Sequence, residues 1–132
     1  MTPSICPCNS QLTYDKCCEP FHKKVASPLT AQSLMCSRYS AYVYKNSDYL
    51  YQTTHPSVRN KDLKKDIISW IKQVSWLSLE IVETKLGTQK DKIGKVEFIA
   101  EYTLDNQSHH HHELSNFKKH KSQWMYVDGI IY

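Results

Sequence analysis

The apolar positions of this chain change their repeat twice, and each change marks a structural boundary. Ala31, Leu34, Met35, Tyr39, Tyr42 and Val43, with Arg38 among them, recur at steps of three and four, the repeat of a helix that buries one side. Ser27 ahead of Pro28 predicts the opening of that helix, a hydroxyl cap followed by a proline in the first turn. A shorter helix over residues 48–53 is expected to stop at His55-Pro56, because steric clash drives a residue before proline out of the helical region. Asn60 is the next candidate cap. Behind it Leu63, Ile67, Trp70, Ile71 and Val74 make one stripe, while Lys61, Lys64, Lys65 and Lys72 face water.

The steps then shorten to two. Leu77, Leu79 and Ile81 alternate with Ser78 and Glu80, and Val82, Thr84 and Leu86 resume the alternation in the opposite phase, which predicts a bulge in a bent strand. A polar turn over residues 87–94 follows. Val96, Phe98, Ala100, Tyr102 and Leu104 line one side of the next strand, opposite Glu97, Glu101 and Thr103. Two more strands are expected at about residues 112–121 and 123–131, joined tightly at Lys121-Ser122. Three helices followed by four antiparallel strands predict an α+β fold, with the helices on one face of a curved sheet.

Residues 1–24 obey neither repeat and hold too few apolar side chains to fold unaided. They carry Cys6, Cys8, Cys17 and Cys18, four thiols that could close a tetrahedron around structural Zn2+. Disulfides, a redox pair and inert buried thiols are the alternatives. A disulfide between adjacent Cys17 and Cys18 would be badly strained, and the opening residues show no apolar stretch that directs export, so a cytoplasmic metal site is favoured. Because Cys18 completes the set, His22 is read as a residue packed on or bonded beside the site. The division is a zinc knuckle at residues 1–24 and an α+β domain at residues 25–132, the second expected to fold alone from about Val25.

Lys and Arg number 17 against 13 Asp and Glu, a net +4 that does not call for a polyanion, so direct nucleic-acid binding is not expected. No run approaches the roughly 18 apolar residues of a membrane span. A soluble cytoplasmic protein is the expectation.

Cys6-Pro7-Cys8-Asn9-Ser10 followed by Tyr14-Asp15-Lys16-Cys17-Cys18 resembles the SEC-C zinc motif, found at the C-terminus of the export ATPase SecA and in many small bacterial proteins. That motif usually has glycine where this chain has Asn9, a residue that tolerates a left-handed backbone. Pro20-Phe21-His22, Leu34 to Tyr42, Tyr49-Leu50, Thr54-His55-Pro56-Ser57, His112 to Phe117 and Trp124 to Gly129 fall in the order of the bacterial YchJ family. Arginine is common there at the position of Cys36, which is therefore read as a local substitution and not a ligand. The resemblance implies a zinc motif joined to a nuclear-transport-factor-2-like cone.

The open end of such a cone is a pocket, and the resemblance assigns Arg38, Tyr39, Tyr42, His55, Glu113 and Trp124 to it. Arg38 with Glu113 is expected to form a bidentate ion pair, read first as a tie between helix and sheet and second as a ligand-positioning device. His55 is either an acid or base or, more simply, a loop fastener. His109, His110, His111 and His112 are read as a polar strand connection with incidental metal affinity, and Lys118 to Lys121 as a solvated basic turn.

Two functions compete. The first is an interaction module docking through the knuckle on a protein or ribosomal partner, as the SecA tail does with its export chaperone and the ribosome. The second is a small-molecule binder or enzyme using the cone pocket, a fold-level analogy and the less favoured.

Overall fold

The period-two half of the chain forms a meander of β1 (Val74–Leu86), β2 (Ile93–Leu104), β3 (Gln107–His120) and β4 (Gln123–Ile131), antiparallel in the order β1-β2-β3-β4. The computed structural model describes residues 5–132. Two-residue turns join the last three strands, at Asp105-Asn106 (φ 53° and 63°) and Lys121-Ser122 (φ 51° and 67°). Positive φ at both turn positions matches the right-handed twist of the flanking strands, so these hairpins close without splaying.

The predicted bulge is present, and there are two. Register slips between Trp76 and Ser78 and again between Ile81 and Glu83, which turns Leu77 and Val82 out of the ladder. Leu77 is therefore exposed, a correction to its expected place beside Leu79; Trp76 takes the inward position. Each slip bends β1, and the sheet curls over the helices. Val96, Phe98 and Ala100 are buried on its concave side, as the alternation in β2 requires.

Among the described residues four α-helices precede the sheet: α1 (Glu19–His22), α2 (Ala31–Val43), α3 (Ser47–Gln52) and α4 (Leu63–Gln73). α2 opens three residues later than Ser27-Pro28 suggested, because Thr30 supplies the cap: its hydroxyl accepts from Ser33 N at 3.0 Å. Its start is fastened to the β1–β2 turn, where Ala31 N donates to Gly87 O at 2.9 Å. Gly87 has φ +76°, and a Cβ there would stand 2.7 Å from Ala31 Cβ, so the close approach demands glycine. Asn46 caps α3 by accepting from Tyr49 N at 3.1 Å. Asn60 builds the turn ahead of α4, accepting from Asp62 N at 2.9 Å, and does not cap the helix itself.

α2 is buried on nearly every side. Leu34, Met35 and Tyr39 meet the sheet, whereas Ala41 belongs to a second cluster with Tyr49, Leu50, Ile67 and Ile71 from α3 and α4. Its buried polar residues Ser37, Arg38 and Ser40 need partners, and each finds one outside the helix. Ser40 faces the N-terminal knuckle, which consists of an Ile5–Thr13 bridge, a 3-10 turn at Tyr14–Lys16 and α1. Asn9 there has φ 70°, the left-handed conformation expected of it. Cys6, Cys8 and Cys18 are part of the same buried cluster as Leu34, Val96, Phe98 and Phe117. The fold is α+β, a curved antiparallel sheet packed on helices behind a cysteine knuckle. Among the described residues no helix is long and apolar enough to cross a membrane.

Candidate functional site

The knuckle brings Cys6, Cys8, Cys17 and Cys18 together, with all four Sγ atoms within 4.8 Å of one another. Three are buried and Cys17 is half-buried, its Sγ 3.1 Å from Ser10 Oγ. Hydrogen bonds from Cys18, Cys36 and Cys6 push the Cys8 thiol down, while bonds with Cys6 and Cys8 and then burial push Cys18 up. Four thiolates at this spacing need a cation, and this soft, closed donor set is one that zinc fits. Cys36 packs beside the cluster but is not one of the four.

His22 does not reach the thiols. Ser37 O can only accept, so His22 Nε2 carries the proton and donates to it at 2.8 Å, leaving Nδ1 to accept from the Tyr14 hydroxyl at 2.6 Å. Burial holds its pKa below the usual histidine value, only partly opposed by the Ser37 carbonyl. Both ring nitrogens are occupied, Nε2 fastening α1 to α2 and Nδ1 fastening it to the Tyr14–Lys16 turn. Cys6 Sγ lies 3.3 Å from Ser40 Oγ, and Asn9 Nδ2 donates to Leu79 O at 3.4 Å, so the knuckle is tied to both helix and sheet.

A second candidate site lies inside the cone. A cavity of about 210 Å³ is lined by Arg38, Tyr39 and Tyr42 of α2, Trp70 of α4 and, from the sheet, Trp76, Phe98, His111, Glu113, Ser115 and Tyr126. Arg38 and Glu113 both border it, but the bidentate pair expected between them is not formed. Arg38 Nη1 instead donates to Leu50 O at 2.9 Å and Thr53 Oγ1 at 2.7 Å, the carbonyl and hydroxyl at the C-terminal end of α3. Its guanidinium lies 4.7 Å over the Tyr126 ring. Glu113 accepts from His111 Nε2 at 2.9 Å, from the Ser115 hydroxyl and from the Tyr126 hydroxyl at 3.1 Å. Burial alone would raise the Glu113 pKa, but these donors, His111 foremost, outweigh it and hold the carboxyl below its ordinary value. Burial and the Glu113 charge push the Tyr126 hydroxyl the other way, well above the usual tyrosine range.

His55 and Trp124 stand away from this cavity. His55 Nδ1 accepts from Ser57 N at 3.1 Å and caps the 3-10 turn Pro56–Val58, so it is the loop fastener of the simpler reading. Trp124 is buried in the main cluster and donates from Nε1 to Leu29 O at 3.1 Å, holding β4 to the chain before α2. The histidine run is also relocated. It lies within β3, which begins five residues before the expected start, and its members alternate between faces. His110 and His112 pair with Glu101 and Glu97, His109 stacks on Tyr102, and His111 enters the cavity. They do not converge on one ion. Counting back by twos from Phe117 through Ser115 and Glu113 would have identified His111, whereas nothing local in the sequence marks Trp76 or Tyr126.

The chain is similar throughout to proteins already described. The YchJ middle NTF2-like domain pattern matches residues 30–129, and the SEC-C motif matches residues 4–20. A UPF0225 protein of Actinobacillus succinogenes is 41% identical over 128 residues, 97% of this chain and 82% of that protein. One from Serratia proteamaculans is 40% identical over 129 residues, 96% of this chain and 83% of that protein. The solution structure of a SEC-C motif containing protein from Rhodopseudomonas palustris superposes with a TM-score of 0.84 at 30% identity, covering 99% of both chains. The crystal structure of a SEC-C motif containing protein from Psychrobacter arcticus gives 0.77 at 29% identity over 96% of this chain and 82% of that one. With its cysteine knuckle, its cone and this agreement along almost its whole length, the chain belongs to the YchJ (UPF0225) family.

Proposed function

We propose that the protein is a cytoplasmic docking module in which structural Zn2+, held by Cys6, Cys8, Cys17 and Cys18, fixes the knuckle so that its outer edge binds a partner protein. The supporting observation is the two-sidedness of the knuckle. Its inner side is bonded to Ser40, Ser37 and Leu79, while its outer side leaves Ile5 56% and Leu12 52% exposed. A unit this poor in apolar residues would ordinarily use them for its own core. Exposed Lys16, Lys23 and Lys24 on the same segment suit a partner whose apolar contact is rimmed by acidic groups. Four thiolates leave no coordination position for water, so the metal organises structure and does not hydrolyse. Five free thiols suit a reducing compartment.

Protein purified without added metal should contain about one zinc per chain. Replacing His109 to His112 should leave that zinc in place, and replacing the four cysteines by serine should remove it. Capture of partners by zinc-loaded protein, followed by mass spectrometry and sucrose-gradient sedimentation, separates a protein partner from the ribosome. Leu12→Asp with Lys16→Glu should abolish capture at unchanged zinc content; capture that persists without residues 1–24 would overturn the reading.

A further inference from the structure

The cone cavity carries chemistry for which docking has no use. Arg38 is only 6% exposed, and its Nη1 is taken by α3, yet its Nε and Nη2 make no hydrogen bond with the described residues. Its natural countercharge, Glu113, already accepts from three donors, His111, Ser115 and Tyr126. A second donor, Trp76 Nε1, is buried without any acceptor. Leaving the Trp76 N–H unpaired in a buried site is costly, and Arg38 borders the same cavity with donors to spare, so the lining is short of one acceptor.

The remaining walls define the shape of that acceptor. Tyr39, Tyr42, Trp70, Trp76 and Phe98 surround the space with aromatic faces and edges. A cavity of roughly 150 Å³ accommodates benzene. The volume of about 210 Å³ therefore holds one aromatic ring with one small substituent. Guanidinium favours planar, two-oxygen acceptors over single ones. We propose that the cavity binds a small aromatic carboxylate, its carboxylate at Arg38 and the Trp76 indole N–H, its ring against the aromatic walls. This site is independent of partner docking by the knuckle.

The test uses full-length, zinc-loaded, 15N-labelled protein and three probes of one size: benzoate, benzyl alcohol and benzylamine. Benzoate should shift the Trp76 indole N–H resonance saturably at millimolar concentration or below, binding about tenfold or more tightly than benzyl alcohol. Benzylamine should not compete. Trp76→Phe keeps the ring and removes the donor, and should weaken benzoate about tenfold by calorimetry. Arg38→Lys keeps the charge without the planar fork and should weaken it as well. Should that variant fail to fold, the probe series and Trp76→Phe still decide. Equal binding of benzoate and benzyl alcohol, preference for benzylamine, or absence of any benzoate effect at Trp76 overturns the proposal.

Discussion

The knuckle and the cone cavity both gather polar groups into a buried space, and they balance charge in opposite ways. The knuckle turns four thiols toward one point, where any thiolate beyond the first repels its neighbours until a cation arrives. The cavity faces a carboxylate with three donors and a guanidinium with a helix end, so each charge already has partners. A site that is unsatisfied at its centre depends on its ligand for structure. A site that is satisfied except at its inner surface keeps its shape and can exchange what it holds.

The largest effect should come from removing the metal. Chelation, or serine at all four cysteines, should unfold the knuckle and lower Tm by more than about 10 °C, because structural zinc contributes directly to folding. Circular dichroism should show the sheet retained, as should a chain beginning near Val25. Loss of the strand signal together with the zinc would make knuckle and cone one folding unit, a real contest given that Cys6, Cys8 and Cys18 share a buried cluster with Leu34 and Phe117.

On the cone side, Gly129 pairs with Ser115 across β3 and β4, and a Cβ there would collide with the Glu113 carboxylate. Gly129→Ala should therefore cost about 1–3 kcal/mol by denaturant titration, the range for overpacking, while zinc content is unchanged. An alanine that costs nothing would mean that the Glu113 network yields easily and is not what shapes the cavity.

A smaller, pH-dependent effect separates the regions again. Glu113 is held below its reference value of 4.5, so its contribution to stability is complete above that pH and is lost as the pH falls through the lower, folded value. Glu113→Gln should remove this component: the stabilities of the variant and the parent should converge as the pH falls below 4.5. A gap that stays constant in urea titrations across that window would show that the carboxylate charge is not stabilised in the fold. The smallest change expected is for His55→Ala, a loss of about 0.5–2 kcal/mol from the cap on Pro56–Val58 with no change in zinc content or benzoate binding.

The sequence by itself determined what depends on neighbours within a few residues. Period four became α2 and α4, period two became the strands, and the phase change in β1 became a bulge, since backbone geometry converts spacing into facing. The four thiols were equally legible, because they lie within thirteen residues and a short span can bring them together. Tertiary packing decided the long-range choices. Arg38 and Glu113 have complementary charges and share a cavity, yet the end of α3 and the β3 donors lie nearer to each, and the shortest well-aligned bonds prevail. His55 and Trp124 were drawn into a turn and a core by local caps and burial, while His111 reached the cavity through strand register alone. Pairings of this kind depend on which surfaces meet when the sheet closes over the helices, and no local pattern in the chain records that.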